Sequence, residues 1–208
     1  MAPRSALASE LSPSLGEAAP RPAAEADSAV VAAGGQSSNL GDAVLHGGAL
    51  VVRQKAQEWA ELCSRDLPAA VLEALSLTLL LAGLPGAITA ADLNADPAAL
   101  LARLPEWVRD QGLDPQLYPL LPSAKQGKRS VANFEKFWTF GLGAQNGIAL
   151  LDSQLVASLT KWLLILPQAS IRSVRHAATV AALAVAEALG HHSQALARSH
   201  ETLAKQLK

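Results

Sequence analysis

The sequence has few residues of the types that build β-sheets, disulfide frameworks and metal sites. Of the 208 residues, 4% are aromatic, one is methionine and one, Cys63, is cysteine. A single cysteine excludes a disulfide bond within the chain, and no group of Cys and His residues has the spacing of zinc ligands. Alanine and leucine, which occur 42 and 36 times, instead make up more than a third of the chain. Because both residues favour helices, the composition predicts an all-α fold.

Long uninterrupted apolar runs are also absent, although the mean hydropathy of +0.20 is high for a soluble protein. The longest run, residues 74–88, contains Ser76, Thr78 and the turn Gly83-Leu84-Pro85-Gly86. Its apolar part is shorter than the roughly 20 residues that a bilayer-spanning helix needs. We interpret it as a buried helix and expect no membrane contact. The first residues lack the apolar segment of a cleaved signal, and their acidic residues argue against an organellar presequence.

A change in composition near residue 42 divides the chain. Residues 1–42 are rich in Ala, Ser, Pro, Glu and Gly and almost free of large apolar residues. Such a segment buries too little surface to offset the entropy of ordering, so we predict a disordered tail there and one helical domain in residues 43–208. Apolar spacing predicts helices over about 42–64, 67–82, 130–145, 153–166, 170–189 and 193–208.

Local signals set further boundaries within this domain. Asp66 and Asp96, each followed closely by a proline, are typical of helix starts, and Thr89 predicts the cap of a short helical turn. Pro105 is expected to kink or split the helix in which it lies. Residues 112–127 are rich in proline and have no sustained periodicity, so they are predicted to form a loop.

Residues 153–189 resemble one unit of a helical-repeat protein. Leu155, Leu159 and Trp162 form an apolar stripe on the first predicted helix, and the second helix carries a facing stripe of mostly alanine, which allows close packing. A helix pair with this pattern is typical of a HEAT-type repeat, which needs neighbouring repeats to bury its apolar faces. We therefore predict a HEAT-like α-solenoid fragment and expect further repeats beyond residue 208.

Charge is distributed unevenly along the chain. Residues 1–124 contain 7 basic and 14 acidic residues, whereas residues 125–208 contain 10 basic and 4 acidic residues. The strongest basic cluster comprises Lys125, Lys128, Arg129 and Lys136, and two further arginines, Arg172 and Arg175, share one helix face. Basic side chains on a rigid helical surface suit contacts with a phosphate backbone. The same spacing also fits an ordinary solvated face, and the sequence leaves both interpretations open.

No residue pattern in the sequence favours catalysis. The glycines of Gly141–Gly147 resemble a loosened dinucleotide-binding loop, but such a loop must follow a strand, and here it follows a predicted helix. His176 has no carboxylate one helical turn away to orient it, which favours a packed or hydrogen-bonded histidine over a base or metal ligand. We therefore predict a non-enzymatic protein without cofactor, metal or small-molecule substrate.

One stretch of the sequence carries a specific family resemblance. Residues 171–182 resemble the pattern V-R-x-F-R-H-x-x-T-x-A-A of the SA (STAG, stromal antigen) subunits of cohesin, with Val174 in place of the aromatic residue. The matching residues are Arg172, Arg175, His176, Thr179, Ala181 and Ala182. Shorter similarities occur upstream in the family's order, at Trp59, Glu61, Gly83, Gly86, Thr89, Tyr118-Pro119, Lys128-Arg129, Asn133-Phe134 and Phe137. The resemblance covers roughly residues 42–208, which correspond to the N-terminal STAG domain of that family.

The resemblance implies a function and a set of partners. It implies a nuclear, chromosome-bound regulatory subunit of cohesin that acts in sister-chromatid cohesion, with the kleisin and SMC subunits of the cohesin ring and double-stranded DNA as partners. It implies phosphate contacts by the cluster Lys125, Lys128, Arg129 and Lys136. The motif residues Arg172, Arg175, His176 and Thr179 are expected to be structural or binding residues. Two alternatives remain, an unrelated HEAT-like adaptor without a DNA role and an enzyme that uses the loop Gly141–Gly147.

Overall fold

The described part of the computed structural model, residues 37–143 and 154–206, consists of helices and connecting turns and contains no strand. These residues belong to one compact unit, residues 34–208. Within residues 37–143 and 154–206 the eight helices are α1 Ser37–His46, α2 Ala49–Arg65, α3 Leu67–Leu81, α4 Ala90–Leu93, α5 Pro97–Asp110, α6 Gly127–Gly141, α7 Leu155–Ile165 and α8 Arg172–Gln206, with a 3₁₀ turn at Leu166–Gln168. The predicted all-α fold, consistent with a helical-repeat fragment, is confirmed. None of the helices described is both long and apolar enough to cross a membrane.

The rare aromatic residues are concentrated where α2 meets α6. Trp59 of α2 packs edge-on against Phe137 and Trp138 of α6, with ring centroids 5.2 and 5.8 Å apart. All three side chains are buried, and the indole N–H of Trp59 donates to the carbonyl oxygen of Ala70 in α3 at 2.9 Å. Helix α6 also packs against α1 and α8, so it lies at the centre of the unit. Trp162 is buried as well, and Trp107 lies partly buried at the edge of the core.

Gly141 lets α2 and α6 approach closely. A Cβ atom built on Gly141 would lie 2.8 Å from Cε3 of Trp59, which is too close for any side chain. Because the residues before Gly141 form α6, the strand that a dinucleotide-binding loop requires is absent from this described segment. Residues 144–147 of the suspected loop lie outside the described residues. The enzyme alternative built on this loop therefore lacks its structural context.

The predicted helix starts are confirmed by their caps. The side-chain oxygen Oδ1 of Asp66 accepts from the backbone N–H of Ala69 at 3.0 Å, and Oδ1 of Asp96 accepts from Ala98 at 3.0 Å. Thr89 precedes the short helix α4, as expected. These contacts satisfy backbone donors that the first helical turn leaves unpaired. They span two or three residues, which explains why local sequence signals predict them.

Other predicted boundaries are wrong. The helix expected over 42–64 is divided at Gly47 and Gly48, and α1 begins at Ser37, inside the segment predicted as a tail. Leu40 and Val44 of α1 are buried, and this packing offsets the entropy of ordering. Residues 1–36 lie outside the described residues, so the rest of the predicted tail, and with it the domain division, stays a prediction.

Pro105 and Gly190 do not interrupt their helices. Helix α5 continues through the exposed Pro105. The neighbouring residues Leu104 and Val108 are buried in the core. Helix α8 runs through Gly190 to Gln206, and the two separate helices predicted there are one helix of 35 residues. A proline in a helix interior costs about 3 kcal/mol and a glycine about 1 kcal/mol. Burial of Leu104 and Val108 beside Pro105, and of Ala188 and His192 beside Gly190, opposes these local costs.

Asp92 forms a partly buried ionic contact that should make stability depend on pH. Its Oδ1 lies 2.9 Å from Nη1 of Arg103, and its Oδ2 accepts from the backbone N–H and the hydroxyl of Thr89, both at 2.7 Å. The hydrogen bond from Arg103, followed by those from Thr89, lowers the pKa of Asp92 below its usual value although burial opposes this. The carboxylate form is therefore favoured in the folded state.

We expect Asp92→Asn to lower the free energy of unfolding at pH 7 by about 1–2 kcal/mol, because hydrogen bonds to a charged group are lost. The stabilisation by Asp92 is complete above its unfolded pKa of about 4 and is lost as the pH falls through the lower folded pKa. The difference between wild type and variant in urea unfolding should thus be smaller at an acidic pH below the folded pKa than at pH 7. Asp110→Asn, at an exposed position, is the control. An equal difference at both pH values would contradict this role of Asp92.

Candidate functional site

The predicted basic cluster lies at the start of α6 and along its exposed side. Lys125 precedes the helix, Lys128 lies in its first turn, and Lys136 lies two turns further on. All three side chains are exposed, and none has a hydrogen bond or ion pair within residues 37–143 and 154–206. The first turn of α6 contains no acidic residue. These three lysines are free to contact an external anion.

Arg129 is exposed like the lysines but has a structural partner. Its Nη2 donates to the carbonyl oxygens of His46 at 2.9 Å and Gly47 at 2.6 Å. One turn later, Nδ2 of Asn133 donates to the carbonyl oxygens of Val44 at 3.0 Å and Gly47 at 3.2 Å. The last carbonyls of a helix have no partner within it, so Arg129 and Asn133 together cap the C-terminus of α1. Any phosphate contact by Arg129 must use its remaining N–H groups.

The motif at the start of α8 also combines internal and free side chains. Nη1 of Arg175 donates to the carbonyl oxygens of Ala169 and Ser170, both at 2.8 Å, and so holds the turn before α8. The hydroxyl of Thr179 donates to the carbonyl oxygen of Arg175 at 2.7 Å. Arg172 is exposed and has no such partner in the described ranges. The two arginines look alike in the sequence pattern, but in the structure Arg175 is held by internal hydrogen bonds and Arg172 is not.

His176 joins the proline-rich loop to α8. Its Nδ1 lies 3.0 Å from the phenol oxygen of Tyr118, and the two rings pack edge-on with centroids 5.7 Å apart. A Cβ atom on Gly83, whose φ is +83°, would lie 3.2 Å from Cβ of Tyr118. The expectation of a packed or hydrogen-bonded histidine is confirmed. Three motifs that are distant in the sequence therefore meet at one point, and only their common resemblance to one family indicated a connection.

A groove runs between this loop and the start of α8. It consists of two adjoining depressions of about 630 and 520 Å³ that share Tyr118, Leu121 and Arg172 in their lining. The second depression is also lined by Arg175, His176 and Thr179. All four motif residues of α8 therefore lie at this groove, whereas Lys125, Lys128 and Lys136 do not line it.

The described residues contain few side chains arranged for metal binding or nucleophilic catalysis. No cluster of three or more His, Cys, Asp or Glu side chains that could hold a metal ion occurs there. Burial raises the pKa of Cys63 to about 12, and the nearby carboxylate of Glu73 acts in the same direction. The thiol is therefore protonated near neutral pH, whereas the thiolate is the nucleophilic form. The absence of cofactor and substrate stays a prediction.

Comparison with known proteins agrees with the motifs. Residues 116–208 match the family model of the STAG domain, and no curated protein matches the chain. The matched range contains Tyr118, the basic cluster and the α8 motif, whereas the similarities at Trp59, Glu61, Gly83, Gly86 and Thr89 lie before it. The STAG domain belongs to a cohesin subunit family that is not enzymatic. The resemblance seen in the sequence thus agrees with the family model over this range: residues 116–208 of this chain match the STAG domain.

Proposed function

We propose that this protein is a non-enzymatic regulatory subunit of cohesin that acts in sister-chromatid cohesion. The STAG domain in residues 116–208 carries this proposal. The proposed partners are the kleisin and SMC subunits of the cohesin ring and double-stranded DNA, and the proposed location is the nucleus, on chromosomes. The hydrogen bonds of Asn133 and His176 support the proposal, because each joins a family-motif residue to a distant segment of the fold.

The DNA part of the proposal rests on the free lysines of the basic cluster. Lys125 and Lys128 flank the N-terminus of α6, where unpaired N–H groups and the helix dipole favour a phosphate. Lys136 extends the positive charge along the same helix. Phosphate contacts need positive charge on a rigid support and no base reading. We therefore assign the phosphate contacts to these lysines and a secondary contribution to Arg129.

Association with cohesin is tested by recovering the tagged protein from nuclear extract of its own cells. We expect the kleisin and SMC subunits to be recovered with it in amounts comparable to the tagged protein. A control extract with the tag alone corrects for nonspecific capture. If no cohesin ring component is recovered, the proposed function is wrong.

Neutralising the lysines at the start of α6 should weaken DNA binding. We expect Lys125→Gln/Lys128→Gln to reduce the affinity for a random-sequence duplex roughly 30-fold at physiological salt. The slope of log K against log salt should fall by about 1.8, because each lost phosphate contact removes about 0.9. Fluorescence anisotropy over a salt series measures both quantities.

Lys161→Gln/Lys205→Gln is the matched control, since it removes the same charge elsewhere: Lys161 lies beside Trp162 and Lys205 pairs with Glu201. If this control weakens binding equally, only net charge matters and the assigned lysines are wrong. If wild-type protein fails to bind duplex DNA even at low salt, the alternative of a helical adaptor without a DNA role replaces this part of the proposal.

A further inference from the structure

The groove beside α8 has a lining that differs from a surface for nucleic acid. Its walls are largely carbon, contributed by Pro115, Tyr118, Leu121, Pro122, Pro167 and Ile171. A DNA backbone presents phosphates and sugars, which make no use of such a surface. Peptide-binding grooves, in contrast, are lined by apolar and aromatic side chains with a few polar groups that fix orientation. The lining therefore favours a ligand with apolar side chains.

The charge at the rim of the groove has one sign. Arg172 and Arg175 both line it, and no acidic side chain does. The nearby carboxylate of Asp114 accepts from the backbone N–H of Gln116 at 2.8 Å and is not part of the lining. The guanidinium of Arg172 is exposed and unpaired in the part of the chain that the structure describes. An unpaired guanidinium is suited to bidentate pairing with a carboxylate.

One exposed apolar side chain lies further along α8, on the helix face that carries the residues of the groove lining. Arg172, His176, Thr179 and Leu183 follow each other at intervals of three or four residues, so they lie on one face of the helix. Leu183 is 66% exposed at the end of this row. Leu183 lies one helical turn beyond Thr179, which lines the groove, and so adds one large apolar side chain to the apolar surface of the groove. The row thus presents a cationic end and an apolar end to the same partner.

We propose that this groove binds a short acidic segment of a partner protein. A carboxylate of the segment pairs with Arg172, and an apolar side chain lies between Tyr118, Leu121 and Ile171. A second apolar side chain reaches Leu183 along the face of α8. The site is distinct from the lysines assigned to DNA, because Lys125, Lys128 and Lys136 are not in the lining. The occupant is identified by complementarity of charge and apolar surface alone.

The experiment selects ligands without assuming their sequence. A random 16-residue peptide library displayed on phage is panned against the full chain, with panning against Arg172→Glu as the parallel arm. We expect wild type to enrich peptides that combine Asp or Glu with Leu, Ile or Phe. Synthetic versions of these peptides, measured by fluorescence anisotropy, should bind Arg172→Glu at least tenfold more weakly. Fold integrity is expected in this variant because Arg172 is exposed and unpaired.

Two further variants keep the proposal falsifiable. Arg198→Glu makes the same charge change at an exposed position of α8 outside the groove, and we expect it to leave peptide affinity within twofold of wild type. Leu183→Ser should weaken binding about threefold to tenfold without a change in thermal unfolding. Enrichment of only basic or neutral peptides, or equal binding by wild type and Arg172→Glu, would overturn the proposal. So would an Arg172→Glu effect on duplex DNA as large as that of the Lys125/Lys128 variant, since the groove would then belong to the DNA surface.

Discussion

Replacing Trp59 with alanine is expected to lower the free energy of unfolding by about 3–5 kcal/mol, the range for removing a buried aromatic side chain. The Trp59 side chain is 1% exposed and contacts both Phe137 and Trp138 of α6. Its indole N–H also donates to the carbonyl oxygen of Ala70 in α3. One side chain therefore connects three helices, and its removal leaves a cavity and takes away the hydrogen bond to Ala70.

Urea unfolding followed by circular dichroism measures this effect. Leu50→Ala in the same helix α2 is the control, because Leu50 is 82% exposed and its truncation should change stability by less than about 0.5 kcal/mol. The total stability of a domain is about 5–15 kcal/mol, and the expected loss is smaller than most of this range. The Trp59 variant should therefore still show a cooperative unfolding transition. Similar losses in both variants would show that the α2–α6 contact is not the centre of the core.

Gly127→Ala is expected to lower the free energy of unfolding by about 3 kcal/mol, at the upper end of the usual cost of overpacking. A Cβ atom at Gly127 would lie 1.9 Å from the carbonyl oxygen of Leu121. The obstructing atom belongs to the backbone, so relief requires a shift of the proline-rich loop. That loop also carries Tyr118, whose contact with His176 would be disturbed. The intrinsic helix preference of alanine, about 1 kcal/mol over glycine, is outweighed.

Gly190→Ala is the matched control for this prediction. Gly190 lies within α8, and a Cβ atom there would meet nothing within 4 Å. The same substitution should therefore raise stability, by about 0.5–1 kcal/mol, since alanine loses less backbone entropy on folding. Thermal or urea unfolding of both variants measures the change in stability, which should be a loss for Gly127→Ala and a gain for Gly190→Ala. Stabilisation by both substitutions would show that the loop is not held against α6.

The local elements of this fold follow from short stretches of sequence. Asp66 and Asp96 cap helices because their acceptors lie two or three residues from the donors. The boundaries that fail, at Pro105 and Gly190, are places where a local preference of about 1–3 kcal/mol opposes burial of neighbouring side chains. The sequence shows the preference directly, but the burial depends on which helices become neighbours.

The residues of the candidate sites are likewise visible in the sequence, but their contacts are visible only in the structure. Positive charge in residues 125–208 and the family motifs are visible in the sequence, and they indicated both the basic cluster and the α8 residues. Arg129 and Arg175 look as available as Lys128 and Arg172 in that pattern. In the structure, Arg129 donates to carbonyl oxygens more than 80 positions away at the C-terminal end of α1, and Arg175 folds back onto the turn before its own helix.

The sequence by itself determined that this protein is helical, where several helices begin, and which residues resemble the STAG domain. Composition, capping and motif spacing are properties of neighbouring residues, so they need no knowledge of the fold. Only the tertiary structure decided which basic side chains are occupied by internal carbonyls and which remain free. The same is true of the groove beside α8, because its two walls come from separate segments whose meeting depends on long-range packing.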